Sequence, residues 1–232
     1  MTKIQSYSIA LDTFVEIINK IKKERERKTR VGEFVNVFIL WNRISGISEP
    51  THSKILAFIL SSDSMHGQGN LFLKLFLRRI GVDVTTNEEW VVTAEKGRVD
   101  VMLKRHFPHP SVVIIENKSN WANDQPNQLY RYWAQNIHRC EEDCYPGFYE
   151  NHTDYKIVYL IPTAGKIPSD NSTEKPIDYP INLPNRIPME PVIMAFDKEL
   201  LDWLDECIAH LPSENSPLIN LLNQYKEYCK HL

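Results

Sequence analysis

The run Tyr155-Lys156-Ile157-Val158-Tyr159-Leu160-Ile161 constrains the fold most, because it is nearly continuous in apolar residues where a half-exposed strand would alternate. Such a strand is buried on both faces, and helices packed on either side of a sheet provide that cover. The rest of the chain supplies both kinds of element. Apolar positions recur at spacings of three and four through Ile9, Phe14, Ile17, Ile18 and Ile21, and again through Phe34, Val37, Phe38, Leu40 and Trp41, which predicts two helices. A third is expected from Thr51 to about Leu60 with Pro50 in its first turn, and a fourth from Leu71 to Ile80, ended by Gly81.

The period then changes to two. Trp90–Thr93, Val99–Leu103 and Val112–Ile115 read as strands, and Arg105–Pro110 as the hairpin connection between the second and third. A helix from about Asp124 to Asn136, with Asp124 as its cap, separates them from the buried run. Residues 162–191 are proline-rich and read as an extended connection; a short strand at Val192–Phe196 and helices at about Lys198–Leu211 and Pro217–Leu232 complete the chain. The predicted class is α/β, a mixed central sheet with extra N-terminal and C-terminal helices. One domain over 1–232 is expected, with N-terminal helices in 1–80, a core at about 49–162 and C-terminal helices in 197–232.

Composition narrows the function. With 42% hydrophobic and 25% charged residues in 232, the chain can bury a core without disulfides, and wholesale disorder is excluded. Cys140, Cys144, Cys207 and Cys229 form no CxxC pair, and no basic segment with an apolar run opens the sequence, so a cytoplasmic, reduced protein is expected. The triplets Asn151-His152-Thr153 and Asn171-Ser172-Thr173 then read as plain loop sequence. Apolar runs such as Phe34–Trp41 and Leu71–Leu77 are too short to cross a bilayer, so no membrane partner is expected. The formal charge of -3 gives no global basic field. Lys20–Arg30, with seven Lys or Arg against two Glu, reads as a solvated helix face, phosphate contact being the sharper alternative. No P-loop, GxGxxG or GxSxG is present.

Chemistry concentrates at Val99-Asp100 and Ile114-Ile115-Glu116-Asn117-Lys118. Strand alternation sends Glu116 and Lys118 to one side, and a hairpin with the preceding strand sets Asp100 beside Glu116. Two hard oxygen ligands suit Mg²⁺ or Mn²⁺, and a neighbouring lysine adds positive charge where a phosphoryl group would develop negative charge. This is the outline of a phosphodiester-hydrolysis site.

In these residues the sequence resembles the PD-(D/E)XK nuclease superfamily, whose restriction-endonuclease-like core has an Asp on the second strand and Glu-x-Lys on the third. Asp100, Glu116 and Lys118 take those places, and Val99 stands where the name-giving proline would be. The stretch Asp124-Gln125-Pro126-Asn127-Gln128-Leu129-Tyr130-Arg131-Tyr132 is similar to the DQxxQLxxY helix of a bacterial branch of that superfamily. Glu49-Pro50-Thr51-His52-Ser53, His66-Gly67-Gln68-Gly69 and a closing helix pair with Trp203–Cys207 and Gln224-Tyr225 match the same branch, so the resemblance covers roughly 40–230.

The resemblance implies a three-layer α/β/α fold and a metal-dependent endonuclease or exonuclease acting on nucleic acid, with DNA the expected substrate and a homodimer attractive for double-strand cutting. Asp100, Glu116 and Glu49 would bind Mg²⁺ or Mn²⁺, Lys118 would orient water and stabilise charge, and Gln128 would reach the site from its helix. The alternative is a catalytically silent nuclease-fold module that binds nucleic acid or a protein. On helical spacing Glu49, His52 and Ser53 share a face, as do Gln125, Gln128 and Tyr132. His52 and His66 read as packed or capping histidines. His138, Cys140, Cys144 and His152 fit no familiar zinc spacing and read as carrying free thiols.

Overall fold

The computed structural model describes residues 3–33, 35–85 and 88–232. Phe34, counted above in the second helical pattern, lies outside them. The chain falls into two compact units, Met1–Ile44 and Ser45–Leu232. The first holds α1 (Lys3–Arg30) and most of α2 (Val37–Ser45). Leu11, Phe14, Ile17, Ile18 and Ile21 are exposed along α1. In the basic stretch Arg27 pairs with Glu24 at 2.7 Å and Lys28 with Glu33 at 2.8 Å, exposed local pairs of small energetic weight.

In the second unit α3 (Glu49–Leu60) opens with Pro50 in its first turn, and α4 (Leu71–Arg79) follows. Then come β1 (Trp90–Lys96), β2 (Val99–Arg105) and β3 (Ser111–Asn117), next α5 (Gln128–Tyr132), α6 (Pro146–Asn151) and β4 (Tyr155–Ile161). The one-turn α7 (Asp170–Thr173), β5 (Val192–Ala195), α8 (Leu201–Ala209) and α9 (Ser216–Cys229) complete it. The sheet order is β1-β2-β3-β4-β5, antiparallel across the first three strands and parallel from β3 to β5. All seven residues of β3 are buried, as are the last five of β4, which is the double-sided burial that the apolar run requires. Leu129, Tyr130 and Trp133 cover Val112, Ile114, Ile157 and Tyr159 on one face, and α3 packs across β1, β2 and β3. The fold is the mixed-sheet, helix-flanked α/β architecture expected.

The helix expected over 124–136 is shorter and less regular. It starts at Gln128, after Asn127 in the left-handed region at φ 58, and widens to a π turn over Trp133–Ile137. Asp124 is not its cap. A π turn over Phe196–Leu200 likewise precedes α8, so that helix also begins later than its periodicity suggests.

One buried ion network anchors the far end of β2. Arg105, 4% exposed, donates to Glu88 Oε1 at 2.6 Å, to an oxygen of Asp154 and to the His109 carbonyl at 2.9 Å, with its guanidinium 5.1 Å from the Trp90 ring. Removing one member strands the other charges in low dielectric. Arg105→Ala is therefore expected to cost about 3 kcal/mol or more, measured by denaturant unfolding; a change under ~1 kcal/mol would show that the network carries little.

Candidate active site

β2 and β3 pair with Val101 opposite Ile115, so the residues after Ile115 emerge beside the start of β2. Asp100 is there, and its Oδ2 accepts the Asn117 backbone N–H at 2.7 Å. Alternation sends Glu116 and Asn117 to opposite faces. Glu116 Oε2 accepts from the Tyr132 hydroxyl on α5 at 2.8 Å. Asn117 Nδ2 instead donates to the Glu49 carbonyl at 2.9 Å and to Ser53 Oγ at 3.2 Å, fastening the first turn of α3 to the end of β3.

Lys118 returns to the α5 side. Its Nζ lies 2.6 Å from Glu116 Oε1 and 3.6 Å from Asp124 Oδ1, and donates to Gln128 Oε1 at 3.2 Å. Gln128 Nε2 in turn donates to the Tyr132 hydroxyl at 3.0 Å, so α5 grips both Glu116 and Lys118. Glu49 Oε1 accepts the Asn120 N–H at 3.1 Å, on the loop that follows Lys118.

The five residues expected from the sequence thus gather at the ends of β2 and β3, the first turn of α3 and the start of α5. Tyr132, Asn117 and Asp124 hold positions there that the sequence reading did not assign. Asp124 accepts from the Tyr159 hydroxyl at 2.6 Å and from the Ser169 N–H at 2.7 Å, linking the site to β4 and the proline-rich connection. His52 is elsewhere: fully buried, its Nδ1 is 3.0 Å from the Tyr225 hydroxyl and its ring lies against Phe196 and Tyr228. Burial lowers its pKa to about 4, so it packs as a neutral ring. His66 Nδ1 accepts the Gln68 N–H at 3.0 Å within its own loop.

Electrostatics at the site are unbalanced. Burial, and then the charge of Glu116, pushes Asp100 up to about 8. Burial also raises Glu116, against the pull of Lys118 and Tyr132. Burial opposes the charge on Lys118, but Glu116, Asp124 and Glu49 outweigh it and hold the ammonium above its ordinary value. Asp124 is held low, because Tyr159, Ser169 and Lys118 together exceed its burial. One ammonium therefore faces the buried carboxylates of Glu116 and Asp124 and the part-buried one of Asp100, and the Asp100–Glu116 pair holds its protons more tightly than isolated carboxyls do.

That deficit of positive charge is what a divalent cation would fill, and an all-oxygen set from Asp100, Glu116 and Glu49 fits Mg²⁺ or Mn²⁺. The three carboxylates are not drawn together as a ready trio with donor atoms within 4.8 Å of one another. Glu116 is held by Lys118 and Tyr132, and Glu49 by Asn120. Each carboxylate oxygen has a second lone pair, so coordination need not displace those contacts. Because Asp100 must lose its proton to ligate, Mn²⁺ affinity is expected to rise about tenfold per pH unit between 6 and 7.5 and to level off above about 8. Calorimetric titration across that range checks this, and a pH-independent affinity would contradict it.

No curated protein and no solved structure matches the chain. No helix among the described residues is long and apolar enough to cross a membrane. A family model described as the PD-(D/E)XK nuclease superfamily matches residues 35–230, a span that contains every residue of this site. The chain belongs to the PD-(D/E)XK nuclease superfamily.

Proposed function

We propose that this protein is a metal-dependent nuclease that hydrolyses phosphodiester bonds of nucleic acid, DNA being the substrate class, with Mg²⁺ or Mn²⁺ held by Asp100, Glu116 and Glu49. The observation that carries the reading is the part-buried Asp100 set beside the buried Glu116 by the pairing of β2 and β3, with the Lys118 ammonium 2.6 Å from Glu116, an arrangement costly to keep unless something else brings positive charge. Bound there, the metal would polarise the scissile phosphate and lower the pKa of its water. Lys118 stays an ammonium through neutral pH, so its role is to place charge and a hydrogen bond beside the reacting phosphate rather than to take up a proton. Gln128 accepts a hydrogen bond from the Lys118 ammonium and fixes its direction, while Tyr132 holds the second oxygen of Glu116 in place. The enzyme would work in the cytoplasm, and double-strand cutting would call for two copies.

The test is cleavage of labelled plasmid, linear duplex, single-stranded DNA and RNA with Mg²⁺, Mn²⁺ or EDTA. Metal-dependent loss of DNA, blocked by EDTA, is the expected result. Cleavage of RNA alone would replace the substrate class. No cleavage of any substrate would favour a silent module of the same fold.

A further inference from the structure

A second cluster of ligating groups lies at the opposite end of the helical segment that begins with Gln128. His138 caps its π turn, donating its backbone N–H to the Trp133 carbonyl at 2.9 Å, and its ring lies against Trp133 with centroids 5.0 Å apart. The chain then turns into a 3-10 helix over Glu141–Cys144. One nitrogen of His138, one carboxylate oxygen of Asp143 and the sulfur of Cys144 lie within 4.8 Å of one another, the group of three such donors found among the described residues.

Local capping explains only part of this. Asp143 Oδ2 accepts the N–H of Arg139 at 2.6 Å and of Cys140 at 3.2 Å, as a capping carboxylate should. Its Oδ1 faces His138 Nδ1 at 2.5 Å, and the cap requires neither that imidazole nor the thiol of Cys144. The Asp143 side chain is 3% exposed and that of His138 is 26% exposed, so the carboxylate is shielded while part of the imidazole meets solvent. The spacing of His138, Cys140, Cys144 and His152 argues against zinc. The fold removes that objection by replacing His152, which stacks on Phe148 with its Nδ1 2.8 Å from that residue's carbonyl, with Asp143.

We propose that His138, Asp143 and Cys144 form a binding site for a borderline-soft divalent cation, Zn²⁺, with the fourth position open to water. A nitrogen, a carboxylate and a thiolate are donors that Zn²⁺ accepts at tetrahedral distances, whereas Mg²⁺ seeks oxygen ligands alone. Binding releases the thiol proton of Cys144, while the imidazole of His138 ligates through the lone pair of one nitrogen and keeps its proton on the other. The ion clamps the end of the α5 segment to the 3-10 turn, and so steadies from behind the helix that carries Gln128 and Tyr132.

The experiment is Co²⁺ titration of the full-length protein, followed by its near-ultraviolet sulfur-to-metal charge-transfer band, with Zn²⁺ competition. A band saturating at one equivalent and displaced by Zn²⁺ is expected. It should be absent in Cys144→Ser, weakened at least tenfold in affinity in His138→Ala, and retained in Asp100→Asn, which separates this site from the proposed nuclease centre. Absence of a thiolate band at saturating Co²⁺ overturns the proposal, as does its persistence in Cys144→Ser. Circular dichroism of both variants establishes that they are folded, so loss of the band reads as loss of the ligand.

Discussion

Asp100→Asn is expected to lower cleavage about a thousandfold while making the metal-free protein more stable at pH 8. The two effects share one cause. In the folded state Asp100 is pushed up to about 8, far above its ordinary value of 3.8, by burial and by Glu116. A carboxyl with a raised folded pKa costs nothing below its unfolded pKa; its cost grows as pH rises toward the folded value, then stays constant. The amide carries no such cost, so the variant should exceed the native protein by about 2 kcal/mol at pH 8, and the gap should close near pH 4. Thermal unfolding in EDTA at both pH values reads this directly. A variant less stable than native at pH 8 would mean that Asp100 is held for its contact with Asn117.

The second large effect is at Lys118. Its side chain is 4% exposed and its ammonium is 2.6 Å from Glu116, whose side chain is 2% exposed. Lys118→Ala leaves the buried side chains of Glu116 and Asp124 without that ammonium, at an expected cost of about 3–5 kcal/mol in metal-free protein. The double variant Glu116→Gln with Lys118→Met should recover part of that loss, because Glu116 no longer carries an unpaired charge and Asp124 keeps its bonds from Tyr159 and Ser169. Neither variant should cleave. If Lys118→Ala unfolds at the native denaturant midpoint, the pair is not the buried ion pair described.

The strands and the Asp-Glu-x-Lys constellation were legible because both depend on short-range alternation: the period of two that marks β2 and β3 also sends Glu116 and Lys118 to one side. Glu49, His52 and Ser53 were harder, since helical spacing puts them on one face without saying what that face meets. Ser53 meets Asn117, while His52 turns into a pocket of Phe196, Tyr225 and Tyr228 that lies more than a hundred residues away in sequence. Asp124 before Pro126 carries the local signature of a helix cap, but its partners Tyr159 and Ser169 are 35 and 45 residues downstream and win over that signature. Tyr132 was readable as a face-mate of Gln128, yet its grip on Glu116 depends on how α5 lies over β3. Arg105 gave no signal, because the acids it meets, Glu88 and Asp154, are brought in from two other segments.

The most direct measurement is nicking of supercoiled plasmid in Mg²⁺ by the native protein and by Glu116→Gln at equal concentration, after both are shown to unfold cooperatively. Nicking by the native protein with about a hundredfold or greater loss in Glu116→Gln is the predicted result. Equal rates for the two proteins would place the chemistry elsewhere and contradict the site assigned to Asp100, Glu116 and Lys118.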